Sequence, residues 1–182
     1  AITGNTRRFG ASLDKIKQVV KPRSGEIMFG LNLVVYKGKT IFVGDTSVHE
    51  YPSSEQLSEI AISAARVVRL FGFDPKVAFV SHSTFGQPIT NRTRHIKDAV
   101  EILKNKNVNF EFDGDMQPDV ALNEEYKSLY PFSKIVGNAN ILIMPGQHSA
   151  AISYKMMKTL GDTKVIGPLL IGLGLPIEIA PL

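Results

Sequence analysis

The sequence predicts an α/β fold built on a mainly parallel sheet with helices on both faces. Two observations predict it. From Glu26 onward, apolar runs rich in Val, Ile and Phe alternate with stretches whose apolar residues recur at helical spacing. The 182 residues are 43% hydrophobic and 21% charged, within the globular range and enough for one compact core.

The elements follow in order. Leu13, Ile16, Val19 and Val20 predict an amphipathic helix that has no strand beside it in sequence. Residues 27–36 and 40–44 flank Lys37-Gly38-Lys39 and read as a β-hairpin added antiparallel at one sheet edge. Ser53 or Ser54 opens a helix, with Gln56 placed for a capping box after Ser53. Leu57, Ile60, Ala61, Ala64, Ala65 and Val68 share one face of that helix, and Gly72 is its stop. Residues 77–80 read as a strand, 92–104 as a helix with Ile96, Ala99, Val100 and Leu103 inward, and 108–112 as a strand. Residues 119–129 predict a helix, 141–144 a strand, 149–160 a helix, and 165–170 and 176–179 short strands. The lone first helix and the uncapped last strand lead us to expect that both ends are cut from a larger unit.

Composition narrows function. The chain has no cysteine, which excludes disulfides, thiolate zinc and cysteine nucleophiles. Its longest apolar runs, such as 166–175, fall short of the roughly 18–20 residues of a membrane span. No basic segment precedes an apolar one at the start, so a cytoplasmic, membrane-free protein is expected. The net charge of +4 is local: residues 1–25 carry six basic side chains against Asp14, and the remainder is nearly neutral. A nucleic-acid binder spreads a basic stripe over a face, so no nucleic-acid partner is expected.

Three segments fall where ligands bind in open α/β sheets, beyond the carboxyl ends of strands. Ser81-His82-Ser83-Thr84-Phe85-Gly86, followed by Arg92 and Arg94, offers hydroxyls, free amides and two guanidiniums to an anion such as a phosphate. The same residues also read as a polar turn. Gln147, His148, Tyr154 and Lys155, at and after a helix start, suit polar ligand contacts or capping rather than proton transfer. Asp113-Gly114-Asp115 with Asp119 could hold Mg²⁺, but the ligand series of a calcium loop is absent and a solvated turn is the stronger reading. His49, His82, His95 and His148 lack zinc-ligand spacing, and His95 reads as a surface residue. Gly172-Leu173-Gly174 is half a dinucleotide fingerprint, but Pro176 prevents a helix after it.

Taken together, the motifs are more specific. The 81–86 run, Phe112-Asp113-Gly114-Asp115-Met116-Gln117-Pro118-Asp119-Val120-Ala121-Leu122, then 139–145, 151–155 and Ile166-Gly167-Pro168-Leu169-Leu170-Ile171-Gly172-Leu173 occur in that order. This series resembles the phosphate acetyl/butyryl transferase family over residues 3–182. Asp45-Thr46-Ser47-Val48-His49, Tyr130-Pro131-Phe132 and His148-Ser149-Ala150 resemble the transferase-like C-terminal region of large bacterial NADP-dependent malic enzymes.

The resemblance implies a two-lobed phosphotransacetylase architecture, similar to isocitrate and isopropylmalate dehydrogenases, with the first lobe incomplete. Residues 1–52 would be part of the first lobe, 53–165 the second, and 166–182 a return to the first. It implies acetyl-CoA or CoA as ligand and a homo-oligomer through the second lobe, with Met156 and Met157 as candidate contacts. NADP and a divalent metal would belong to a malic domain outside this sequence. Stand-alone transferases carry Ser-Arg just after the last proline-led strand, where Pro181 and Leu182 stand here. The family's Leu-Arg-Pro run is replaced by Leu13-Asp14-Lys15. Neither proline nor leucine can activate a thiol or clamp a phosphate. The expectation is therefore an acetyl-CoA-sensing regulatory module, the alternative an active phosphate acyltransferase using substitute residues.

Overall fold

The computed structural model describes residues 1–4 and 6–180. Along the chain run β1 (Ile2–Gly4), α1 (Phe9–Val19), β2 (Phe29–Tyr36), β3 (Lys39–Gly44), α2 (Ser54–Leu70), β4 (Lys76–Val80) and α3 (Asn91–Lys104). These are followed by β5 (Glu111–Met116), α4 (Pro118–Leu122), α5 (Glu124–Lys127), β6 (Ile141–Ile143), α6 (Gln147–Leu160), β7 (Thr163–Ile171) and β8 (Glu178–Ala180). Six strands form one sheet in the order β5-β4-β6-β3-β2-β7, and β1 pairs in parallel with β8. Strands β5, β4, β6 and β3 are mutually parallel, and β2 runs antiparallel to β3 and to β7.

Local chemistry explains much of this. Lys37 and Gly38 both take positive φ (46° and 76°), as a two-residue hairpin turn requires. Ser53 caps α2 reciprocally with Gln56, and Gly72 (φ 84°) follows the helix end. Thr90 and Thr93 do the same for α3. Leu57, Ile60, Ala64, Ile96, Val100 and Leu103 bury one face of the sheet with Phe29, Phe42 and Phe79. On the other face Val120 and Ala121 of α4 and Ala150 of α6 close over Val34, Val43, Ala78 and Leu142. Helices on both faces of a mostly parallel sheet are thus present.

The tertiary structure corrects several expectations. The hairpin is not at the edge: β7 pairs along the far side of β2 from Phe29↔Ile171 to Tyr36↔Thr163. An unpaired edge on so apolar a strand would be a template for aggregation, and β7 covers it. The strand expected over 108–112 is displaced to Glu111–Met116, because the carboxylates of Asp113 and Asp115 find donors inside the protein. The 119–129 helix is two short ones. Asn123 is extended (φ −131°, ψ 116°), and its side chain caps the second by accepting from the Glu125 N–H. In α1, Val19 is exposed while Leu13 and Ile16 are buried, as is Val20 just after the helix. That helix does have strand neighbours, since its apolar face packs with Met28, Leu170, Leu173 and Ile179. Strands β1 and β8 come together from opposite ends of the sequence.

Strands β2 and β3 lie in the same sheet as β4 to β6, and β7 runs through positions 165 and 166. No helix among the described residues is long and apolar enough to cross a membrane.

Candidate ligand cleft at the carboxyl ends of β4 and β6

Two buried carboxylates hold loops at this end of the sheet. Asp45, 1% exposed, follows β3 and gathers the next loop around itself. Its Oδ1 accepts from the N–H groups of Gly30 (2.9 Å), Ser47 (2.8 Å) and Val48 (3.1 Å). Its Oδ2 accepts from the His49 N–H (2.8 Å) and lies 2.7 Å from His49 Nδ1. Asp115, near the end of β5 and equally buried, does the same for the 81–87 loop. Its Oδ1 accepts from the Gly86 N–H (3.0 Å), and the Ser83 hydroxyl donates to its Oδ2. The two loops flank the carboxyl ends of the adjacent central strands β4 and β6.

Between them opens a cleft of about 320 Å³ lined by Ser81, His82, Arg92, Pro118, Pro145, Ser149 and Ser153 over an apolar floor that includes Val80, Ile96 and Met144. Polar groups on its wall are hydroxyls, one imidazole and one guanidinium, with no carboxylate among them. Such a wall suits an anion. Among the described residues, the His82 ring makes no hydrogen bond to a serine of the cleft. Among the described residues no three His, Asp or Glu side chains cluster as a metal site would require.

The residues singled out from sequence divide. Ser81 and Arg92 meet in the cleft. Ser83, fully buried, faces Asp115 instead, and the Thr84 hydroxyl accepts from the Gln117 N–H (3.2 Å). The loop's backbone amides already have acceptors: Ser81 N–H donates to Met116 O, Thr84 to Gln87 O, Phe85 to Asp115 O and Gly86 to Asp115 Oδ1. Arg94 lies about 200° from Arg92 around the helix and opens with Gly86 and Lys97 onto a separate depression. Gln147 ties α6 to the Asp45 loop, its N–H to His49 O and its side-chain amide to Ser47 O. His148 pairs with Glu50 at 3.1 Å on an exposed surface. Tyr154 packs half-buried into the sheet's second face, and that burial pushes its phenol pKa up. Lys155 is exposed and does not line the cleft.

What α6 presents to the cleft is Ser149 and Ser153, which the sequence reading left out of the site. Their i, i+4 spacing at the start of a helix that follows a central strand is the signal that finds them.

Asp113 and Asp115 are not in a solvated turn: Asp113 is buried and accepts from the N–H groups of Gly114 (3.0 Å) and Lys134 (2.8 Å). His95 is half-buried rather than a free surface residue, with Nδ1 2.8 Å from Ser54 Oγ and Nε2 2.7 Å from Pro52 O. Gly172, whose carbonyl accepts from the Arg23 N–H, sits so close to Ile27 O that a Cβ would lie 2.0 Å from it. The Gly172-Leu173-Gly174 run therefore serves a backbone crossing. Pro181 and Leu182 lie outside the described residues.

Fold and cleft define an α/β domain whose cleft has a polar wall built by the Asp115-held loop and by α3 and α6. The sequence pattern of the family described as phosphate acetyl/butaryl transferase matches residues 1–181, and the chain belongs to that family. It is 42% identical over 179 residues to an NADP-dependent malic enzyme of Rhizobium meliloti, covering 98% of this chain and 24% of that protein. It is 33% identical to the phosphate acetyltransferase of Bacillus subtilis, covering 97% of this chain and 53% of that one. The solved phosphotransacetylase of Streptococcus pyogenes superposes with a TM-score of 0.91 at 27% identity, over 100% of this chain and 56% of that chain. The chain thus spans about a quarter of that malic enzyme and about half of those transferases.

Proposed function

We propose that this chain is the transferase-like portion of an NADP-dependent malic enzyme and that it binds acetyl-CoA to regulate malate oxidation performed elsewhere in the polypeptide. The observation that carries the reading is the cleft itself. It offers Arg92 and the Ser153 hydroxyl to an anionic ligand, and its lining among the described residues includes no carboxylate to serve as a base. Binding needs donors and positive charge on the ligand's phosphates, whereas catalysis needs groups matched to the transition state. The similarity to malic enzymes and Pro181-Leu182 in place of the family's Ser-Arg point the same way. Losing groups that act on developing charge costs on the order of 10²–10³ in rate or more.

Association of copies through the second lobe, residues 53–165, belongs to the same reading. Met157 packs into the core, while Ile152, Met156 and Leu160 leave an exposed apolar stripe along α6.

Full-length protein is titrated with acetyl-CoA while malate-dependent NADPH formation is followed, and acetyl phosphate formation from acetyl-CoA and phosphate is assayed in parallel. Acetyl-CoA should change malate oxidation, Arg92→Ala should weaken that response, and acetyl phosphate should not form. Turnover to acetyl phosphate at about 1–10³ s⁻¹ rejects this reading in favour of an active transferase.

A further inference from the structure

Beside the cleft lies a second hollow of about 250 Å³ lined by Tyr51, Pro52, Asn91, Arg92, His95, Ile96 and Pro145. Arg92, Ile96 and Pro145 line both cavities, so the two form one continuous groove. The hollow is dominated by an aromatic ring: Tyr51 is 71% exposed, with the Arg92 guanidinium carbon 5.8 Å from its centroid. A large exposed aromatic on a loop ordinarily moves with its backbone, and here the backbone on both sides is held. On its N-terminal side, Val48 and His49 are fastened to Asp45. On its C-terminal side, the Pro52 carbonyl takes the His95 Nε2 bond and Ser53 locks the capping box. A ring carried on a fastened backbone leaves only its side-chain freedom to lose when something stacks on it. Asn91, at the first position of α3, lines the hollow and makes no side-chain hydrogen bond among the described residues. Its amide offers one acceptor and two donors, the set that pairs with the edge of adenine.

The geometry points to an adenine-binding shelf: the ring of a nucleotide stacks on Tyr51, Asn91 reads its edge, and Arg92 turns its guanidinium toward the phosphates in the adjoining cleft. Applied to the acyl-CoA proposed above, on which this assignment rests, the adenosine end lies on Tyr51 and the acyl-bearing arm leaves through the side of Ser81, Ser149 and Ser153.

Calorimetric titration of the full-length protein with acetyl-CoA, adenosine 3′,5′-bisphosphate and acetyl-4′-phosphopantetheine, which lacks adenosine, separates the possibilities. Tyr51→Ala is expected to weaken acetyl-CoA and the bisphosphate about tenfold, the scale of one lost base–aromatic stack, and to leave the phosphopantetheine unchanged. Tyr51→Phe should retain binding. Acetyl-CoA bound as tightly by Tyr51→Ala as by the parent overturns the shelf and leaves the proposed function standing, and equal weakening of all three ligands also overturns it. Tyr51-dependent binding of the bisphosphate without acetyl-CoA binding supports the shelf and rejects the acyl-CoA reading. Absence of binding by any adenine-containing ligand rejects both.

Discussion

Asp45 and Asp115 are both buried carboxylates that hold a loop, yet their asparagine variants should behave differently. Asp45→Asn keeps an oxygen for Gly30, Ser47 and Val48, but directs an NH₂ at the His49 backbone N–H, a donor with no alternative role. Leaving that N–H unpaired costs about 1–3 kcal/mol, and the three remaining bonds each lose about 1 kcal/mol on passing from a charged to a neutral acceptor. His49 is only half-buried, so water offsets part of this. A net loss of about 4 kcal/mol follows, corresponding to about 8–16 °C in Tm for a domain of this size. Asp115→Asn preserves the Gly86 bond. The Ser83 hydroxyl reverses to accept from the new amide and sends its proton to Ser81 Oγ, 3.1 Å away. By the same accounting its two bonds lose about 1 kcal/mol each, about 2 kcal/mol in all, with no donor left unpaired. Thermal unfolding followed by circular dichroism at pH 7 compares them. Equal Tm values for the two variants, or Asp45→Asn within about 1 kcal/mol of the parent, would refute the reasoning.

Two further predictions follow from the packing. The Arg66 guanidinium, 2.6 Å from Glu26 Oε1, holds the Glu26 pKa below its ordinary value. The pair's contribution is therefore present above the usual glutamate range and lost as pH falls through the lowered value. Because Arg66 is 49% exposed, Arg66→Ala should cost less than about 1 kcal/mol at pH 7 and nothing once Glu26 is protonated, as denaturant titrations at both pH values will show. Gly114 takes φ 154°, and a Cβ there would lie 2.7 Å from Phe79 Cβ and 2.8 Å from Phe79 O. Gly114→Ala should cost at least about 1–3 kcal/mol, whereas Gly86→Ala, with open space around it, should cost only its backbone strain of about 1 kcal/mol; urea midpoints of the two variants compare them.

Most of the regular elements were legible because their signals are local. The turn at Lys37-Gly38, the capping box from Ser53 to Gln56, and the stripe Leu57, Ile60, Ala64 and Val68 each involve residues close in sequence. The misplaced acidic segment has a long-range cause. Asp113 and Asp115 read as a solvated turn because carboxylates are rarely buried unpaired, and the donors that satisfy them, Lys134 N–H, Gly86 N–H and the Ser83 hydroxyl, lie 21 to 32 residues away.

The site divides along the same line. Alternation of strands and helices placed the cleft at the carboxyl ends of β4 and β6, and helical period alone separates Arg92 from Arg94. Family membership, too, was legible in the ordered motifs from 81–86 to 166–173. Whether Ser83 faces a ligand or a buried aspartate depends on which strand lies beside β4, and sequence distance carries no information about that. The neighbour is β5, so Asp115 takes the Ser83 hydroxyl and the Gly86 amide, and the cleft is left to His82, Arg92 and Ser153. Local periodicity determined the elements and the end of the sheet where ligands bind. Long-range pairing decided which polar groups remain free to bind one, because a buried donor or acceptor takes the nearest partner in space.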